Sequence, residues 1–171
     1  MNTIRTFLAL PVSHNTEKQL FKAQEIPLHC RRTNHPHITL LFIGDTTPEQ
    51  LSLLKNTLAN FQWPAPLNLH TTRIAPFPKN SSKILAAFVE PNSHLNELQK
   101  KLAEEFRNNG LPCDHKRFSP HITLARSKSA IHCHYKPVDI EFVVEQAVLF
   151  QSELHSEGSR YLALQKYKLK R

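Results

Sequence analysis

The tetrapeptide His-Ile-Thr-Leu occurs at positions 37–40 and again, 84 residues later, at 121–124. With ordinary residue frequencies a second copy arises by chance in roughly a few per thousand chains of this size. A separation of about half the chain is far too long for a solenoid repeat and fits two similar halves, each contributing one such strand. In an extended strand, residues i and i+2 point the same way. His37 and Thr39 therefore share one face while Ile38 and Leu40 share the other, and His121 with Thr123 stand against Ile122 with Leu124 in the same manner. Two such strands side by side bring two imidazoles and two hydroxyls to one cleft, and each keeps an apolar face for packing.

The remaining pattern predicts an α+β chain. TTPEQLSLLKNTLANF reads as a helix, with Thr47 as cap, Pro48 in the first turn and an apolar stripe of Leu51, Leu54, Leu58 and Phe61. SHLNELQKKLAEEFRNNG reads as a second, capped by Ser93, striped by Leu95, Leu98, Leu102 and Phe106, and stopped by Gly110. Each is expected to hold the same place relative to one HITL copy or its flanks. A weaker helix covers Asn15 to Glu25. Strand character runs through Ile4 to Leu10, His37 to Ile43, Leu67 to Ile74, Lys83 to Val89, His121 to Ala125, Ile140 to Phe150 and Arg160 to Leu169. Helices separated by several strands, without regular βαβ alternation, point to antiparallel sheet. The expected architecture is bilobal, with two pseudo-symmetric lobes of antiparallel sheet, helices packed outside and a central cleft. Residues 1–171 are expected to form one such domain, without a linker.

Composition narrows the function classes. Three scattered glycines, Gly44, Gly110 and Gly158, cannot build a phosphate-cradling loop or a dinucleotide fingerprint, each of which needs several close together. Use of ATP is not expected. Twenty-two Lys and Arg against 14 Asp and Glu leave a net charge of +8, which favours a phosphate-rich partner such as nucleic acid. The apolar run Phe7 to Val12 is too short for a secretory signal and reads as a first strand; no run is long enough to span a membrane. Cys30, Cys113 and Cys133 are an odd number without framework spacing, which suits a reducing cytoplasm.

Of the eleven histidines, most read as ordinary hydrogen-bonded side chains, and duplication with threonine separates His37 and His121 from the rest. An unperturbed imidazole titrates near pH 6.5, so one of a neighbouring pair can take a proton while the other gives one. That suits in-line displacement at phosphorus, where the attacking oxygen loses a proton and the leaving oxygen gains one. Thr39 and Thr123 would hold the non-bridging oxygens. Metal binding competes through the alternating pairs His35 with His37 and His132 with His134, but no carboxylate or thiolate recurs at ligand spacing, and acid–base catalysis is preferred. Arg31 with Arg32, Lys116 with Arg117, and the alternating Lys166, Lys168 and Lys170 offer contacts to a nucleic-acid backbone or, equally, charged sheet edges that resist aggregation. Asp45 and Asp114 are explained by turns.

The motifs PHITLLFIG and RFSPHITLAR, with an RxFxAL-like first strand from Arg5 to Leu10, resemble the two-histidine phosphoesterase superfamily. The likeness spans essentially the whole chain and is closest to the bacterial RNA 2′,3′-cyclic phosphodiesterase branch, formerly called 2′-5′ RNA ligase. It implies His37 as proton donor, His121 as proton acceptor, Thr39 and Thr123 as phosphate binders, and Arg126 as the basic residue two positions after the second motif. It further implies hydrolysis of a terminal 2′,3′-cyclic phosphate on RNA to a 2′-phosphate, with no metal or other cofactor, by a cytoplasmic monomer. Where relatives often carry Asn two residues before the first histidine, this chain has His35. Alternatives are joining of 2′-5′ RNA ends or cleavage of a small cyclic nucleotide in the same cleft, or a non-catalytic RNA-binding module.

Overall fold

The computed structural model describes residues 2–133 and 136–170. His134 of the second alternating histidine pair and Arg171 of the basic tail lie outside them. The element order is β1 (Ile4–Pro11), α1 (His14–Ala23), β2 (Arg31–Arg32), β3 (His37–Thr46), α2 (Pro48–Asn60), β4 (Leu67–Phe77), β5 (Ile84–Val89), α3 (Ser93–Asn108), β6 (His121–Arg126), β7 (Lys136–Val144), β8 (Gln146–His155) and β9 (Gly158–Lys168). Local chemistry accounts for the helices. Thr47 and Gln50 form a reciprocal capping box at the start of α2, and Ser13 accepts the Thr16 N–H at the start of α1. At α3 the cap is Asn92, whose Oδ1 accepts the Leu95 N–H at 2.9 Å; Ser93, read from the sequence as the cap, is the first helical residue. Both types cap well, and the amide one position earlier reaches the open N–H.

The strands form a mostly antiparallel sheet in the order β7-β4-β5-β6-β3-β1-β8-β9, with β2 added beside β6. The run Ile140 to Phe150, read as one strand, is in fact the end of β7 and the start of β8, separated by Glu145 alone. These two strands stand six positions apart in the sheet. Laid flat, six spacings of about 4.8 Å would separate them by roughly 29 Å, while two residues span at most about 7 Å. The sheet must therefore roll until its ends approach. Backbone bonds from Leu169 N–H to Glu145 O and from Lys170 N–H to Pro64 O, at 2.9 and 2.8 Å, stitch the closure.

Two halves of four strands, β3-β1-β8-β9 and β6-β5-β4-β7, meet where β3 pairs with β6 through a single registered pair, Ile38 with Ile122. The halves repeat more than the motif. In one, Leu10, Ala9 and Leu8 lie opposite Ile38, Thr39 and Leu41; in the other, Ala87, Ala86 and Leu85 lie opposite Ile122, Thr123 and Ala125. Leu40 and Leu124 are thus the extra residues of equivalent β-bulges, and Phe7-Leu8-Ala9-Leu10 corresponds to Ile84-Leu85-Ala86-Ala87. The segments before the motif strands are exchanged as well. Thr33 N–H bonds Leu124 O, and Asp114 N–H bonds Phe42 O, both at 2.8 Å.

The two strong helices do not occupy matching places, because α2 follows its motif strand whereas α3 precedes its own. The counterpart of α3 is α1, each leaving the inner strand β5 or β1. Helix α1 packs against β7 and α3 against β3, so each covers strands of the other half. Leu20, Leu54, Leu58, Leu98, Leu102 and Phe106 join Leu8, Leu10, Ile38, Ile122 and Leu124 in one core. Each fully buried aliphatic side chain contributes about 1.5–3 kcal/mol to that packing. Among the described residues, no helix is long and apolar enough to cross a membrane.

Candidate active site

Continuing the Ile38–Ile122 register by one residue in each direction sets His37 across from Thr123 and Thr39 across from His121. Directly opposed residues of an antiparallel pair share a face. All four therefore lie on the side of the seam away from Ile38 and Ile122, both of which are fully buried. His37, Thr39, His121 and Thr123 are each half-buried.

Both imidazoles are held the same way. His37 Nδ1 lies 2.9 Å from His35 O, and His121 Nδ1 lies 2.8 Å from Ser119 O. A carbonyl only accepts, so Nδ1 carries hydrogen in each ring and Nε2 is left to meet a ligand. His35 acts here through its backbone. It adopts φ 55°, in the left-handed region, where Asn is several-fold enriched among non-glycine residues. The Asn common at this position in similar proteins fits that backbone, and the imidazole of His35 is not needed for it. Pro36 and Pro120 favour an extended residue two positions before each motif histidine, and His35, in the left-handed region, departs from that preference.

Aromatic packing completes the setting. His37 sits among Phe7, Tyr161 and Phe150, with ring centroids 5.1, 5.3 and 6.0 Å away. His121 stacks on Phe77 at 3.7 Å with an interplanar angle of 17°. Phe7, Ala9, Val148 and Phe150 make a second small core beneath His37, distinct from the main one. Burial accordingly pushes the His37 imidazole down to about 4; the bond to His35 O opposes this, while Arg126 and His121 add to it. His121 is also lowered, by burial first, with the bond to Ser119 O opposing and Arg126 adding. Burial thus favours the neutral form of both rings, in which each Nε2 carries a lone pair.

Arg126 reaches this face because of the bulge. It stands three positions after Thr123, which by strict alternation would turn it to the opposite side. Leu124 is the extra residue, so Thr123 and Arg126 pair with Ala86 and Ile84 of β5, two positions apart and on one face. The same bulge places Phe42 at the equivalent point of the other half. One face thus presents two imidazoles, two threonine hydroxyls and one guanidinium, which can bind a phosphate group and move protons on either side of it.

The aromatic wall of Phe7, Phe77, Phe150 and Tyr161 was not singled out as part of the site from the sequence, although Phe7 is the aromatic of the RxFxAL pattern. Other groups singled out there lie elsewhere. Lys116 is paired with Asp114 at 3.8 Å, and Asp45 is exposed at the end of β3. Cys30, Cys113 and Cys133 are free thiols, each with its pKa raised by burial. Among the described residues no three His, Cys, Asp or Glu side chains converge as a metal site.

The model for the 2′-5′ RNA ligase superfamily matches residues 11–155. A Thermus thermophilus protein named RNA 2′,3′-cyclic phosphodiesterase is 32% identical over 146 residues, covering 78% of this chain and 72% of its own. A Bacillus subtilis protein of the same name is 23% identical over 175 residues, 95% of each chain. The crystal structure of the T. thermophilus protein TT0787 superposes with a TM-score of 0.85 at 26% identity, covering 97% of this chain and 98% of that one. With a family match across most of its length and the same rolled sheet, the chain belongs to the 2′-5′ RNA ligase superfamily of two-histidine phosphoesterases.

Proposed function

We propose that the chain is an RNA 2′,3′-cyclic phosphodiesterase that hydrolyses a terminal cyclic phosphate to a 2′-phosphate without a metal. His121 takes a proton from the attacking water, and the water oxygen bonds to phosphorus. The bond from phosphorus to O3′ breaks, and His37 supplies the proton that O3′ needs. Thr39, Thr123 and Arg126 hold the non-bridging oxygens as charge builds on them. The observation that carries this reading is the pair of imidazoles set across one seam, each with Nδ1 tied to a carbonyl and Nε2 free. The relatives' names support the substrate.

A low pKa for the donor before substrate binds is consistent with this reaction. The anionic substrate replaces water beside His37 and favours its protonated form, so a proton is taken up with the substrate. The test is to incubate an oligonucleotide ending in a 2′,3′-cyclic phosphate with enzyme and a chelator and to identify the product. A 2′-phosphate formed undiminished in chelator is expected; a 3′-phosphate, or loss of turnover on chelation, would overturn the scheme. His37→Ala and His121→Ala should each lower turnover by about 10² to 10⁴.

A further inference from the structure

A cleft of about 580 Å³ is lined by Arg31, Arg126, Lys128, Ser127, Glu157 and Tyr161 among others. It adjoins the site through two of these residues. Tyr161 packs edge-on against His37, and Arg126 lies on the histidine face.

The cleft owes its charge to an unusual pairing. Where β3 diverges from β6 beyond the seam, β2 takes its place, with Arg31 directly across from Arg126 and Arg32 across from Ala125. Opposed like charges on neighbouring strands repel and destabilise the pair. Arg32 is occupied, since it lies 3.5 Å from Glu17 and 3.6 Å over the ring of Phe21. Among the described residues neither Arg31 nor Arg126 has a carboxylate within 4.0 Å. Glu157, in the same cleft, pairs with neither. Arg31 is nevertheless seated, because its side chain crosses Gly158 at the tip of the β8–β9 hairpin, where an added Cβ would stand 2.9 Å from Nη1. Two arginines opposed across β2 and β6 and lining one cleft, with no carboxylate beside either among the described residues, form a site that an anion would complete.

We infer that Arg31, beside the Arg126 that holds the terminal phosphate, binds the phosphodiester on the 5′ side of the terminal nucleotide, so that the enzyme selects the end of an RNA strand over a mononucleoside cyclic phosphate. This rests on the function proposed above. With the cyclic phosphate between the histidines, the strand continues through the 5′ oxygen of the same ribose, and the cleft is where the next phosphate finds opposite charge. Lys128 adds to that field. A single nucleotide has no second phosphate and leaves Arg31 unused.

Three substrates separate charge from size: adenosine 2′,3′-cyclic phosphate, the dinucleotide ApA ending in a 2′,3′-cyclic phosphate, and the same dinucleotide with an uncharged methylphosphonate linkage. For the unmodified protein, kcat/KM is expected to be about tenfold or more higher for the charged dinucleotide than for either other substrate, the scale of one charge-assisted hydrogen bond. Arg31→Ala should collapse that ratio toward one, and Arg31→Lys, a point charge without the planar fork, should keep part of it. The inference fails if the unmodified protein treats all three alike, or if Arg31→Ala leaves the ratio intact. Equilibrium binding of dye-labelled ApA 2′-phosphate and its methylphosphonate counterpart reads the same discrimination without turnover. If no substrate is hydrolysed, the proposed function falls, while the binding ratio still decides for or against Arg31.

Discussion

At the scale of single residues, the chemistry of the candidate site is set by what surrounds each imidazole. His37 lies among three aromatic rings and is pushed down to about 4 chiefly by burial, against about 6.5 for an exposed histidine. The unfolded chain therefore binds more protons than the folded one between these values. Stability from this group is complete above pH 6.5 and is lost as pH falls toward 4, by a total on the order of 3 kcal/mol. His121, also lowered by burial, acts in the same direction. Urea unfolding at pH 7.5, 6, 5 and 4 should show this decline, and His37→Phe, which keeps an aromatic ring but cannot titrate, should flatten it. An equally steep decline in the His37→Phe variant would show that other groups cause it. The identity of His37 and His121 was legible in the sequence because duplication isolates them from nine other histidines. Their protonation was not, because it depends on Phe7, Phe77, Phe150 and Tyr161, which arrive from four other strands.

At the scale of elements, what could be read were the stretches governed by nearby residues. The α2 cap and stripe lie where Thr47, Pro48 and the leucines place them, and both motif strands begin at their histidines. The break at Glu145 could not be read. Val143 to Val148 contains neither Gly nor Pro to mark a turn; pairing with different partners divides it. The bulges at Leu40 and Leu124 escaped for the same reason, and with them the physical cause of Arg126 facing the histidines. Gly158 is one glycine whose role becomes clear only at the hairpin it ends. Its φ of +118° is strained for any L side chain, and a Cβ would press on Arg31. Gly158→Ala is expected to cost about 1 kcal/mol or more in stability and to dislodge Arg31. Unfolding curves check the first effect, and a lowered dinucleotide-to-mononucleotide ratio of kcat/KM checks the second. Unchanged stability would show that the hairpin tip relaxes freely.

At the scale of the whole molecule, the repeat separated by half the chain foreshadowed two halves, but the rolling of one sheet around a central seam depends on pairings between residues far apart in sequence. Those pairings leave no local trace. The seam itself is narrow, since a single registered pair joins β3 to β6, with the full width of the core behind it. The distance between the two imidazoles is thus governed by how Ile38 and Ile122 pack, rather than by a long hydrogen-bonded ladder. Truncating either to Ala should cost about 2–5 kcal/mol, as for other buried aliphatic residues. Because the two are partners, the double variant should depart from additivity by about 0.5–3 kcal/mol. Leu98→Ala on α3 removes comparable buried volume in the same core while leaving the Ile38–Ile122 pair intact, and serves as the control. Assayed where all variants remain folded, Ile38→Ala and Ile122→Ala should lose turnover well beyond Leu98→Ala, because only they let the halves shift and move one proton-transfer group relative to the other. If all three lose turnover only in proportion to the fraction unfolded, the seam does not set the spacing, and the histidines must be held by their own strands and carbonyl partners alone.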